Sequence, residues 1–151
     1  MNAISTWKRV LGASALLTAV VLGGDAVANG PHGAACSNAS LNGSYGFYRT
    51  GSTSVGPLAA LGSLTFDGAG TLSGSQSISR NGAFQFDVPI TGLYIVNADC
   101  TGKFLAPDGV TEIARVVITD RGNGFYIFSE SAGNAVYGVA RRISAPDDSE
   151  D

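Results

Sequence analysis

The stretch I113-A-R-V-V-I-T-D-R-G-N-G-F-Y-I-F128 decides the fold class. Two runs rich in β-branched and aromatic residues flank R121-G-N-G124, whose glycines and asparagine suit the positive φ angles of a tight turn. The pair reads as strand, turn, strand. Working outward, the same punctuation recurs at D67-G-A-G70, N81-G82, P107-D-G109 and A132-G-N134, at intervals of roughly 8 to 14 residues, and no sustained helical period appears after Leu22. Strands are therefore predicted near 44–50, 59–66, 71–79, 83–88, 92–98, 102–105, 111–119, 125–130 and 135–142. Eight or nine successive antiparallel strands with short links make an all-β, single up-and-down barrel of about eight strands over residues 44–143. A closed barrel leaves no exposed sheet edge. A β-sandwich is the alternative architecture.

Alternation indicates which faces are covered. In A83-F-Q-F-D-V88 the set Phe84, Phe86 and Val88 opposes Ala83, Gln85 and Asp87, which predicts one buried and one wet face. L93-Y-I-V96, I113-A-R-V-V-I118 and F125-Y-I-F128 are apolar on both faces, as strands covered on both sides are. Their outer cover would be either the N-terminal segment 29–43 or another subunit, so a homo-oligomer is one of two expectations. Within 111–119, Glu112 and Arg115 stand three apart and are expected on opposite faces. Either Ala114, Val116 and Ile118 face inward with Glu112 at the rim, or Arg115 is the buried charge and needs an anion.

The ends point to export. Lys8 and Arg9, an apolar run from Val10 to Leu22 and the small-residue stretch A26-V-A28 have the layout of a secretory signal peptide covering residues 1–28. The run falls short of the roughly 20 residues a membrane-spanning helix requires, so no transmembrane segment is expected in the mature chain. G33-A-A-C36 has the look of a lipidation box, but ten residues lie between it and Leu22. Residues 144–151 contain Pro146 and four carboxylates, and read as a disordered acidic tail. An exported, periplasmic or extracellular location follows.

Composition narrows the functions. Charged residues make up 14% of the chain, against about 25% in ordinary soluble domains, and 21 residues are glycine. Removal of Lys8, Arg9 and Asp25 leaves seven basic and eleven acidic residues, too few cations for a nucleic-acid surface. His32 is the only histidine; flanked by glycine near the cleavage site, it is poorly placed as a triad base. Two cysteines and one histidine fall short of a structural zinc site, and the Asp67 and Asp120 loops lack the repeated acids of a calcium loop. G68-A-G-T-L-S-G74 spaces its glycines wrongly for a dinucleotide fingerprint and no helix follows it. Asp87, Asp99, Glu112 and Glu130 could pair as acid and base only at a defined separation that sequence does not fix. No catalytic residue, metal or cofactor is assigned, and the chain is read as a non-enzyme in the first instance.

Two cysteines in a small exported domain read as a disulfide, Cys36 to Cys100. Such a bond closes a loop of about 65 residues, worth ~4 kcal/mol in the chain-entropy treatment. Five tyrosines, Tyr45, Tyr48, Tyr94, Tyr126 and Tyr137, fall in predicted strands. With Phe84, Phe86, Phe128 and Arg115, four of them (Tyr45, Tyr94, Tyr126 and Tyr137) form the set predicted to line a lumen that holds a small apolar ligand.

C36-S-N-A-S-L-N-G-S-Y-G-F47 with G92-L-Y-I-V-N-A-D-C-T-G102 resembles a loosely defined group of small secreted bacterial proteins of unassigned function. More distantly, the strand plan is similar to the calycin and allene-oxide-cyclase-like barrels. That resemblance implies a barrel enclosing a hydrophobic small molecule. It carries over no lipocalin signature and no cyclase residue. A cell-envelope interaction module working through an apolar wall, or a cyclase or isomerase that shapes a reactive ligand, are the alternative functions.

Overall fold

The computed structural model describes residues 35–129 and 131–143. The expected signal segment, the start of the N-terminal segment and the acidic tail lie outside them. Eight strands follow one another: β1 (Asn42–Thr53), β2 (Gly56–Asp67), β3 (Thr71–Arg80), β4 (Ala83–Val96), β5 (Thr101–Leu105), β6 (Glu112–Thr119), β7 (Gly124–Ser129) and β8 (Ala135–Arg142). Each pairs antiparallel with the next, and β8 pairs back with β1, so the sheet is a closed barrel and not a sandwich.

The turns form where Gly, Asn and Asp cluster. In the β2–β3 turn, Oδ1 of Asp67 accepts the backbone N–H groups of Ala69, Gly70 and Thr71 at 2.8, 2.9 and 2.9 Å. These bonds hold the Asp67 carboxyl down at about 2, below the usual carboxylate range. Asp108 repeats the device after β5, accepting from the N–H groups of Val110 and Thr111.

Two β-bulges depart from strict alternation. In β4, Phe86 and Asp87 together oppose Ser77, and Asp87 takes φ 54°. The bulge lets 83–88 and 92–98, expected as two strands, run on as one that ends at Val96. It also overturns the expected burial of 83–88: Phe84 and Phe86 point outward, 69% and 72% exposed. In β6 the register slips at Ile113, between the pairs Phe104–Ala114 and Leu105–Glu112. Glu112 thereby joins Arg115 on the outer face instead of opposing it, and forms ion pairs with Arg115 and Lys103. Ala114, Val116 and Ile118 face inward.

One end of the barrel is packed shut. Tyr45, Phe66, Tyr94, Phe104 and Phe125 meet there edge-on or tilted, with ring centroids 5.1 to 5.7 Å apart. The segment before β1 forms a short 3-10 turn, η1 (Asn38–Ser40), and lays Leu41 over this cluster. Tyr94 Oη donates to the carbonyls of Leu41 and Asn38 at 2.9 and 3.1 Å, while Asn38 Oδ1 accepts from the Val96 N–H at 2.8 Å. The Cys36–Cys100 disulfide pins the same segment and packs against the core. The described part of the N-terminal segment is thus a stopper at the barrel's end, not a cover for its wall.

Glycine provides the curvature. A Cβ on Gly62 would lie 2.1 Å from the Ser75 carbonyl oxygen, and one on Gly138 would lie 2.2 Å from that of Tyr48. At these inward positions neighbouring backbones approach too closely for any side chain.

The opposite end is built differently. β1 to β4 run for ten to fourteen residues each, whereas β5 to β8 have five to eight. β5 reaches along β4 only over residues 93–96, so residues 83–92 of β4 have no ladder partner on that side. The result is a lateral seam between β4 and the β5–β6 connection. Pro89 and the bulge at Asp87 blunt this free edge against further strand pairing.

Candidate functional site

Beyond the aromatic stopper the lumen is only partly filled, by a smaller apolar cluster of Leu58, Ala60, Ile78 and Val136 with Val88 packed against it. A cavity of about 360 Å³ opens at the seam. Phe47, Leu64, Leu72, Phe104, Phe125 and Ile127 form its apolar body, and Pro89, Ile90, Pro107 and Ile113 frame its opening. Ligand pockets run from about 300 to 1,000 Å³, so the chamber suits a small molecule.

Thr91 from β4 lines this chamber, and Arg49 from β1 and Gln76 from β3 bring further polar side chains to it. They arrive by strand alternation, since Tyr45, Phe47 and Arg49 share the inward face of β1 while Leu72, Gln76 and Ile78 share that of β3. Arg49 Nη2 donates to Gln76 Oε1 at 2.8 Å. Its Nε is buried with no hydrogen-bond partner, and no described carboxylate pairs with it. Burial, and secondarily the positive charge of Arg80, push the guanidinium below its ordinary value, though arginine stays protonated in proteins. A buried donor left unpaired costs about 1–3 kcal/mol, and more when charged.

Arg49 also borders a second hollow of about 340 Å³ toward the open end, with Thr53, Arg80, Ser129, Ser131 and Asn134. The guanidinium is therefore a partition between an apolar chamber and a polar, basic basin. Arg49 and Gln76 were not among the residues expected from sequence, although S44-Y-G-F-Y-R-T50 places Arg49 in phase with Tyr45 and Phe47.

Of the expected lining residues, only Tyr45 and Tyr94 are inside, and both belong to the stopper. Tyr45 Oη donates to the Gly122 carbonyl at 2.5 Å and accepts from Arg142 Nη2 at 2.6 Å. Phe84, Phe86, Arg115, Tyr126, Phe128 and Tyr137 all stand on the outer surface. The strand register carries most of them into one belt: Val117 faces Tyr126, Arg115 faces Phe128, Phe128 faces Tyr137, and Tyr48 faces Val139 and Leu61. β3 interrupts the belt with Ser73, Ser75, Ser77 and Ser79, so the apolar wall does not run all the way round.

No described group of His, Cys, Asp and Glu side chains could hold a metal ion. No helix among the described residues is long and apolar enough to cross a membrane. Comparison with family models, curated proteins and solved structures gives no match. The fold and site define a closed eight-stranded up-and-down barrel, stoppered at one end, with an apolar chamber that opens at the β4 seam.

Proposed function

We propose that this is an exported barrel that binds a small hydrophobic molecule in its lumen. The carrying observation is the apolar chamber of about 360 Å³ above the aromatic stopper, opening through the β4 seam. An eight-stranded barrel has room either for packed side chains or for one such ligand, and this one divides its length between the two. The Cys36–Cys100 disulfide fits an oxidising compartment, in keeping with the signal-like N-terminus. This reading sets the protein beside the ligand-enclosing calycin-like barrels that its strand plan resembles.

A second reading rests on a separate observation, the exposed belt of Tyr48, Val117, Tyr126, Phe128 and Tyr137. Contiguous exposed apolar surface marks an interaction face, here for another copy of the chain or an envelope protein.

One titration separates the two. A neutral solvatochromic dye such as Nile red should brighten with wild-type protein, lose its signal with Ile90→Trp, which fills the chamber mouth, and keep it with Tyr126→Ser. Signal that survives Ile90→Trp but falls with Tyr126→Ser would move binding to the wall and sink the lumen reading. Native mass spectrometry of the same samples reads subunit number and co-purified ligand.

A further inference from the structure

From the guanidinium partition we infer that the lumen's ligand carries an anionic head, a carboxylate or similar oxyanion on an apolar body. The inference rests on the proposed lumen binding and specifies its chemistry. Arg49 touches the apolar chamber on one side and the polar basin on the other, so a single molecule can bury its tail among Phe47, Leu64, Leu72 and Ile127 while its head meets the guanidinium.

Three further observations support the sign of the charge. Arg49 donates through Nη2 to the neutral Gln76, and its Nε has no partner, so donors remain for an acceptor. Arg80 lines the same basin and adds a second positive charge, while no described carboxylate faces either arginine there. Ser129 and Asn134 add to the basin a hydroxyl and an amide that can donate to an oxyanion, whereas the Thr53 hydroxyl already donates to the Gly56 carbonyl. Four of the other described cations are compensated or engaged: Arg141 by Asp120, Lys103 and Arg115 by Glu112, and Arg142 by Tyr45 and the Gly122 carbonyl. A planar guanidinium is the side chain suited to bidentate recognition of a carboxylate.

The test compares three probes of one chain length against the wild-type protein near neutral pH: decanoate, methyl decanoate and decyltrimethylammonium. Affinities come from displacement of the neutral dye. Decanoate is expected to bind about tenfold or more tighter than the ester, with the cation weakest. Arg49→Gln should remove that preference while leaving ester binding in place, and Arg141→Gln should not change it. Acetate, a head without a tail, should fail to displace the dye. If the ester binds wild-type protein as well as decanoate does, the anionic-head inference falls and the lumen reading survives. Absence of binding by every probe, together with a dye signal insensitive to Ile90→Trp, overturns both. The wild-type probe series needs no variant, so a misfolded Arg49→Gln does not rescue the inference.

Discussion

Arg49 donates through Nη2 to Gln76, a neutral amide that balances none of its charge. On the proposed anion-binding role, such a charge is held in the lumen for recognition and not for stability. Arg49→Met, which removes the charge at similar volume, is expected to raise unfolding free energy by about 1–4 kcal/mol. Gln76→Leu, which strands the guanidinium, should lower it by about 1–3 kcal/mol. Urea denaturation of both variants checks the pair; a destabilised Arg49→Met would mean that the arginine is a structural member of the core.

Cys36 and Cys100, 64 residues apart in sequence, join the stopper segment to the β4–β5 turn. Cys36→Ser/Cys100→Ser should lose about 2–5 kcal/mol. Hydrogen exchange should then show faster opening at η1 and Leu41 than at β1 or β2, because the stopper is held by few other bonds. Uniform acceleration across the barrel would contradict a local role.

Tyr94 is almost wholly buried, and its hydroxyl donates to two carbonyls. Desolvation first, then the Asp67 charge, raise its phenol to about 12. A raised acid makes the folded chain bind more protons than the unfolded one between about 10 and 12, so this stabilisation is complete below pH ~10 and is lost as pH climbs toward ~12. Tyr94→Phe should flatten the alkaline limb of the stability curve and cost about 1–2 kcal/mol at neutral pH. Phenolate absorbance against pH follows the titration directly.

Gly62→Ala is expected to be among the most damaging small substitutions in the chain. Its methyl group would meet the Ser75 carbonyl oxygen at 2.1 Å, in the middle of a ladder that cannot shift without breaking pairs. A loss of about 1–3 kcal/mol or failure to fold is expected. Thermal melts of Gly62→Ala beside the open-space variant Gly82→Ala separate steric collision from a general aversion to replacing glycine. Gly82 has nothing within 4 Å of an added Cβ, although its φ of 85° carries some strain of its own.

The architecture was legible because most turns announce themselves: D67-G-A-G70, N81-G82, P107-D-G109, R121-G-N-G124 and A132-G-N134 all fall where one strand gives way to the next. The β1–β2 turn escaped because its centre is Ser54-Val55, with the positive φ displaced onto Gly56. Side-chain direction was less readable, since period-two reasoning fails across a bulge. One extra residue at Asp87 and one at Ile113 put Phe86 and Glu112 on faces that alternation alone denies them. The site was missed for another reason. Aromatic content drew the eye to Tyr126, Phe128 and Tyr137, whereas the lumen's distinguishing group is a single charge in phase with Tyr45 and Phe47.

The contrast between the stoppered end and the seam has a kinetic consequence. A molecule in the chamber cannot pass straight through, because Tyr45, Phe66, Tyr94 and Leu41 close the far end. On the proposed lumen binding, uptake and release are confined to the seam and the polar end, and exchange through the seam depends on how often the unpaired half of β4 moves away from Pro107 and Ile113. Substitutions along that margin should change dissociation rate and association rate together, leaving equilibrium affinity nearly fixed. On that reading the short reach of β5 is a timing element, governing the pace of exchange more than the strength of holding.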